Sequence, residues 1–438
     1  MVHLRTVLAV CLIFIASSAQ AVSLLRDPDI EYSLRRLAKP VLQAAGLPAN
    51  LPILVVDDGR LNAFVVDRNA IYLNSGLILR TSTPAELQFV IAHEAAHIAN
   101  GHITRRRLNA DYSNRLAQLG LALGVAAAAS SGNSEAGAGI AMGVASSAQR
   151  SLYGHTRAEE SSADQTAIRW MSIGGLDTGG AISLMQVFRG QEHLKASRMD
   201  PYARSHPLSR DRLRRLEALA KSYGGKGADR PSDSYWYERA KGKLSAFLRE
   251  PRWTEARAKQ SPTKDIERMR LAVVKHRRSD WQGALALMEQ VLAERPGDPF
   301  YHELKGQILL EARQFKSAEA AYRRASELAP RDALILASLG HAMVVQGGEA
   351  RLRAALPVLE RARALDYRSG RVMRDLGSAY AQLGQPGMAA LSVAERHALS
   401  GRMKDAHIQA ERATGLLSRG SPAWQRAQDV LNASKEDG

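Results

Sequence analysis

Between residues 265 and 438 the chain repeats itself. Trp281, Ala284, Pro296, Asp298 and Gly306 recur as Phe315, Ala318, Pro330, Asp332 and Gly340, five pairs each offset by 34 residues. A fixed period of that length means one supersecondary unit copied in tandem, each copy too small to bury its own apolar face and stacked on its neighbours to do so. The residue types point to paired helices. Small residues at the crossings let the helices approach, and a proline ends the second helix of each pair because it lacks an N–H and clashes with the preceding turn. From Gly340 to the next comparable glycine, Gly377, the offset grows to 37, which places an insertion at Gly347-Gly348-Glu349. A fainter unit follows around Met403 and Ala406.

The period and pattern are those of tetratricopeptide repeats, two clear and two degenerate. Such a stack offers a concave surface to a protein partner; otherwise it is a buttress for what precedes it. At 438 residues the chain has room for two ordinary domains. Residues 28 to 220 mix short strand-like runs with helices. Residues 221 to 264 hold Gly224-Gly225-Lys226-Gly227 and several prolines, and read as a connector with one helix near 235 to 249. The expected fold class is α+β: a mostly helical domain with a small sheet over residues 22–220, the connector 221–264, and an all-α repeat domain over 265–438.

The N-terminus has the three parts of a secretory signal peptide, expected over residues 1–21. Arg5 precedes an apolar run from Val7 to Ile15, and Ala19-Gln20-Ala21 is a small-x-small cleavage site before Val22. The run is too short to span a bilayer comfortably, so an exported, periplasmic chain is expected. The sole cysteine, Cys11, lies inside the run, with Val10 where a lipoprotein signal wants a small residue. A mature chain without thiols suits an oxidising compartment. The formal net charge of +16 can attract nucleic acid, anionic lipid or acidic protein. Zinc-finger spacing, an aromatic RNA-binding motif and a dense basic arm are all missing, which argues against nucleic acid. The cations are spread along helices, as a solvated face or as peripheral contact with an anionic membrane surface.

The chemistry lies at His93-Glu94-Ala95-Ala96-His97. Thr83-Pro84-Ala85-Glu86 begins a helix, with Thr83 as N-cap, Pro84 in the first turn and Glu86 closing a capping box. Leu87, Val90, Ile91 and Ile98 mark an apolar stripe at helical spacing. His93 and His97, four apart, project from one face and can share a metal. Glu94 is offset around the helix and can reach a metal-bound water without ligating. A catalytic zinc needs a third protein ligand. His102, five residues past His97, falls about 140° away on a continuous helix and is rejected as a ligand. Glu160 and Asp164, on a second helix, share a face: one can ligate while the other holds a ligand histidine. Glu159 is the rival to Glu160.

With these pieces assembled, the sequence resembles the zincin peptidases that include the prenyl-protein endopeptidases and beta-barrel assembly-enhancing proteases. The match runs in order over residues 28 to 250: Asn62-Ala63-Phe64 before a strand, HExxH, the Glu160 to Asp164 helix, then His206-Pro207 with Arg212 beyond. The resemblance implies that Glu160 is the third zinc ligand, with Asp164 supporting it. It implies that the strand after Asn62-Ala63-Phe64 forms an edge for substrate. It further implies that His206 lies near the metal, where it can fill the fourth position as a self-inhibiting switch; a structural histidine is the alternative. Arg212 pairs with Asp164, or with a transition-state oxyanion, or is a surface arginine.

The expected function is that of a periplasmic endopeptidase using one Zn2+ per chain, with Glu94 as proton shuttle. The resemblance implies outer-membrane proteins or their assembly machinery as partners, met through the repeats. The rival is a chaperone-like scaffold in which proteolysis is secondary. Residues 114–150 form an apolar, Gly/Ala-rich hairpin by pattern, with small-xxx-small pairs at Gly120/Gly124 and Gly139/Gly143. The hairpin is packed, or is a lid or membrane-touching flap.

Overall fold

The computed structural model describes residues 23–105, 157–188, 200–206, 209–224, 227 and 230–436. The expected signal peptide, the hairpin at 114–150 and Pro207 lie outside the described residues. The contacts divide into two compact units, Leu24–Ile308 and Leu309–Gly438.

The first unit contains a four-stranded sheet of order β1-β2-β4-β3. Strands β2 (Ile53–Val56) and β4 (Ile71–Asn74) pair in parallel at its centre, with Val55 opposite Leu73. All four residues of β2 are buried, the unbroken apolar run of a parallel strand covered on both faces. β1 (Leu24–Leu25) lies antiparallel to β2, and β3 (Ala63–Phe64) antiparallel to β4 at the opposite edge. The Asn-Ala-Phe segment therefore contains the edge strand rather than preceding it. Phe64 stacks on Tyr72 with ring centroids 5.1 Å apart, which fixes the register of this two-residue strand.

Helices α1 (Pro28–Ala44), α2 (Ser75–Arg80) and α3 (Pro84–Ala99) follow the expected signals. The Thr83 hydroxyl accepts from Glu86 N at 3.2 Å, and the Glu86 carboxylate accepts from Ser82 N at 2.7 Å. The apolar stripe understates α3, because every residue from Ala85 to Ile98 is buried. The helix is enclosed on all sides, so its polar residues His93, Glu94 and His97 lie inside the protein. Its first turn meets α5 (Gly179–Val187), where a Cβ on Gly180 would fall 2.4 Å from the carbonyl carbon of Ala85. The remaining helices that frame this core are α4 (residues 157–173), α6 (Pro201–Ser205) and α7 (Arg210–Ser222).

Residues 221–264 carry two helices where the sequence suggested one: α8 (Pro231–Leu248) and α9 (Pro251–Ala258). Pro251 reads as a breaker but occupies the first turn, where a proline initiates. α8 packs on α1 through a buried ionic cluster. Arg239 Nε lies 2.7 Å from Asp29 Oδ1, its two Nη atoms reach Asp298 at 2.6 and 2.9 Å, and its guanidinium sits 4.1 Å from the Tyr301 ring centroid. Lys243 Nζ is 2.8 Å from Asp27 Oδ2. Beyond come α10 (Lys264–Arg277), α11 (Trp281–Glu294) and α12 (Pro299–Glu311), packed around Met269, Val273, Met288, Tyr301 and Leu304.

The second unit is all helical among its described residues: α13 (Phe315–Leu328), α14 (Ala333–Gln346), α15 (Glu349–Leu365), α16 (Gly370–Gln382), α17 (Pro386–Leu399), α18 (Met403–Leu416) and α19 (Pro422–Glu436). The recurring residues acquire physical roles. Trp281 and Phe315 each open a helix. Asp298 and Asp332 each accept two backbone N–H bonds at the start of the next helix, Asp332 from Leu334 and Ile335 at 3.0 and 3.1 Å. A Cβ on Gly340 would fall 2.4 Å from Leu359, so glycine sets the α14–α15 approach. Gly347 and Gly348, at φ +70° and +82°, form a tight connection, and the extra residues lengthen α15 to 17 residues against 14 in α13. Among the described residues no helix is long and apolar enough to cross a membrane.

Candidate metal centre

Three chain segments deliver four donor groups to one point. α3 supplies His93 and His97, whose Nε2 atoms are 3.1 Å apart. α4 supplies Glu160, with Oε2 3.2 Å from His93 Nε2 and Oε1 3.3 Å from His97 Nε2. His206, immediately after α6, places Nδ1 3.2 Å from His93 Nε2 and 3.0 Å from both Glu160 oxygens. All four donor atoms lie within 4.8 Å of one another, and all four residues are buried. Four ligands about 2.0–2.2 Å from a tetrahedral zinc would stand roughly 3.3 Å apart, so these spacings fit such an ion. Glu159 is also buried but is not part of this group.

Burial in this pocket disfavours charge. It drives His97 down to about 3. Against the same burial, Glu160 and Asp164 raise His93 to about 9. The Glu160 carboxyl, also opposed by burial, is held well below its ordinary value by His206 and His93. Both carboxylates share the Arg212 guanidinium, and a divalent cation among the imidazole nitrogens would add to that positive charge.

The surrounding groups hold these donors in place. Asp164 Oδ1 lies 3.0 Å from His93 Nδ1. Arg212 grips the same carboxylate in fork geometry, Nε to Oδ2 at 2.7 Å and Nη2 to Oδ1 at 2.9 Å. Its Nη1 donates to the His206 carbonyl at 3.1 Å and lies 3.1 Å from Glu160 Oε2. Arg212 thus makes the pair with Asp164 that was one of its three readings. Asn100, at the end of α3, donates to Ser162 and Thr166 of α4 at 3.1 and 3.2 Å, tying the two ligand-bearing helices together. Glu94 is buried, with Oε1 3.4 Å from His206 Nε2.

The edge strand is tied to the segment carrying His206. Tyr202 N donates to Leu61 O at 3.0 Å, Leu61 N donates to Asp200 at 3.4 Å, and Asn62 O accepts from Asn74 N at 2.9 Å. The Tyr202 ring lies 4.6 Å from the His206 ring, and its buried hydroxyl finds no hydrogen-bond partner among the described residues. The sequence reading missed Asn100, Tyr202 and the place of His102. An offset of about 140° holds for a continuous helix, but α3 ends at Ala99 and Gly101 turns the chain at φ +70°. His102 is outside the donor group, yet its Nδ1 lies 3.0 Å from His97 Nδ1.

An HExxH helix, a carboxylate from a second helix and a convergent donor set define a metallopeptidase. Residues 25–220 match Peptidase family M48, and residues 238–339 match the tetratricopeptide repeat-like domain, so the chain carries an M48 peptidase domain followed by a repeat domain. It is similar to the beta-barrel assembly-enhancing protease of Escherichia coli, 22% identical over 407 residues, which are 91% of this chain and 81% of that protein. A relative from Vibrio cholerae is 28% identical over 209 residues, spanning 45% of this chain and 41% of that protein. Among solved structures, MamA aligns with 38% of this chain and 99% of its own at 18% identity, with a TM-score of 0.33.

Proposed function

We propose that this protein is a periplasmic zinc endopeptidase that acts on misfolded or stalled outer-membrane proteins and assists their assembly. The observation that carries the enzymatic reading is the convergence of His93 Nε2, His97 Nε2, Glu160 and His206 Nδ1, with Glu94 beside them. The signal-peptide pattern at residues 1–21 supports the compartment. The activity ascribed to the Escherichia coli relative supports the substrate class.

In this reading His93, His97 and Glu160 would hold the zinc, and His206 would act as a further donor at rest. Zinc bound there would polarise the scissile carbonyl and make water more acidic. Glu94 takes the proton from the attacking water and passes it to the leaving amide nitrogen. Asp164 and Arg212 hold His93 and Glu160 in register. An extended substrate adds to the sheet beside Ala63 and Phe64 through main-chain hydrogen bonds, which demand no particular side chains. Selection then falls to the repeats, which recruit clients or assembly partners, and to His206. The Tyr202–Leu61 hydrogen bond connects the substrate edge to the helix before His206, so occupation of the edge can be felt at the fourth donor.

His206→Ala separates the roles. Casein-type or outer-membrane-protein cleavage should rise, while zinc content stays near one per chain. A rate that stays level or falls would remove the self-inhibiting role and leave His206 as a structural or substrate-stabilising group.

A further inference from the structure

Two of the three imidazoles of the centre are backed by a carboxylate. His93 Nδ1 faces the Asp164 carboxylate at 3.0 Å, and His206 Nε2 faces Glu94 at 3.4 Å. His97 is backed by a second kind of group, another imidazole. His97 Nδ1 and His102 Nδ1 are 3.0 Å apart, the rings meet edge-on at 70°, and both residues are buried.

We infer that His102 is the positioning residue for His97, acting as a proton acceptor that fixes its metal-binding tautomer. The inference rests on the reading that His97 ligates zinc. An imidazole that gives Nε2 to a metal keeps its proton on Nδ1, and that N–H needs an acceptor. Two facing nitrogens share one proton. With His97 Nδ1 as donor, His102 Nδ1 is the lone-pair partner, and the proton of neutral His102 stays on Nε2. In the reverse arrangement His102 donates into His97, the His97 proton moves to Nε2, and a proton points at His93 Nε2 and Glu160. One ligand is then lost. The direction of a single buried hydrogen bond therefore decides whether the HExxH helix offers two ligands or one.

The local backbone serves this contact. α3 stops at Ala99, and Gly101 at φ +70° returns the chain so that His102 meets the far side of the His97 ring. A Cβ on Gly101 would meet nothing within 4 Å. Glycine is needed there for the left-handed turn, not for space.

The test uses the full-length protein. Zinc affinity is measured by competition with a chromophoric chelator, and the cobalt-substituted protein is examined by visible absorption. His102→Ala should weaken zinc by roughly 10–100-fold and alter the cobalt bands. His102→Asn, whose side-chain oxygen can accept the same proton, should recover most of the affinity. In cleavage assays the loss should fall on kcat rather than KM. Unchanged zinc affinity and cobalt spectrum in His102→Ala would overturn the inference while leaving the zinc reading intact. Wild-type protein that binds no zinc would overturn the zinc reading itself. If His102→Ala does not fold, selective 15N-histidine spectra of the zinc-loaded wild type decide the matter. His102 should carry its proton on Nε2 alone, and a proton on its Nδ1 would reject the role.

Discussion

Two clusters of buried charge lie within Leu24–Ile308, and they are built on opposite plans. Around Arg239, each cation has a carboxylate of its own: Arg239 is held between Asp29 and Asp298, and Lys243 is held by Asp27. Around His93, four donor groups lie within 4.8 Å of one another, with five of their pairs at 3.0–3.3 Å. Both clusters are removed from water, so burial alone does not separate structure from function. The distinction lies in where the compensating charge comes from. Within the protein, a buried charge with its partner fixes helix against helix. Donors that converge on one point suit a metal, even with the Arg212 guanidinium 3.1 Å from Glu160 Oε2. The Asp164–Arg212 pair belongs to the first type but serves the second, because it holds His93 in place.

The sharpest way to break this comparison is to damage each cluster and ask what is lost. Glu94→Gln keeps the shape of its side chain and removes the proton acceptor. Cleavage should fall by about 10³-fold, within the 10²–10⁴ range of positioned acid–base groups, with zinc content and thermal midpoint unchanged. Retained activity would remove Glu94 from the mechanism.

Arg239→Ala should do the reverse. It leaves Asp29 and Asp298 without their main partner, and breaking a buried ion pair from one side costs about 3–5 kcal/mol. Denaturant unfolding should show that loss, while the molecules that remain folded keep their zinc and turnover. A fall in zinc affinity equal to the fall in stability would merge the two clusters into one functional system and undo the distinction.

How much of each cluster was legible in the sequence follows from how local its parts are. Thr83, Glu86, His93 and His97 lie within four turns of one helix, so periodicity and capping were enough to place them. The repeats were legible for the same reason: Asp298 and Asp332 cap the helices that directly follow them. Glu160 came from a second helix, where spacing left it open against Asp164, and only the family resemblance separated their roles. Arg239 was invisible, since nothing near it in sequence announces that Asp29 and Asp298 will meet there. His102 was misplaced because a helical projection was carried past the end of the helix. The stripe on α3 was real but incomplete, because enclosure by α1, α5 and the sheet buries the polar face as well.

The support around the metal is expected to give a smaller effect than its chemistry. Asp164→Asn removes the charge beside His93 and half of the Arg212 fork. Zinc affinity should fall by roughly 10–100-fold. The chelator-induced drop in melting temperature tests this directly, because a ligand at 100 times its Kd stabilises by about 2.7 kcal/mol. The variant should gain less from the same added zinc than wild type does. An equal gain would show that Arg212 and Asp164 brace the fold alone.

The smallest effects come from two buried tyrosines, and their signs should differ. The Tyr237 hydroxyl donates to the Thr81 carbonyl at 2.5 Å, just ahead of the Thr83 cap. Tyr202 packs on Phe188 and His206, but its hydroxyl has no hydrogen-bond partner among the described residues. A satisfied buried hydrogen bond contributes about 1 kcal/mol net, whereas a buried polar group left without a partner costs about 1–3 kcal/mol. Tyr237→Phe should therefore destabilise by about 1 kcal/mol, and Tyr202→Phe should stabilise by a similar amount. Paired denaturation curves read the two signs. If Tyr202→Phe lowers stability, its hydroxyl is satisfied in solution by water, and the pocket beside His206 is wet. If it raises stability but lowers kcat, the missing partner is supplied by the substrate.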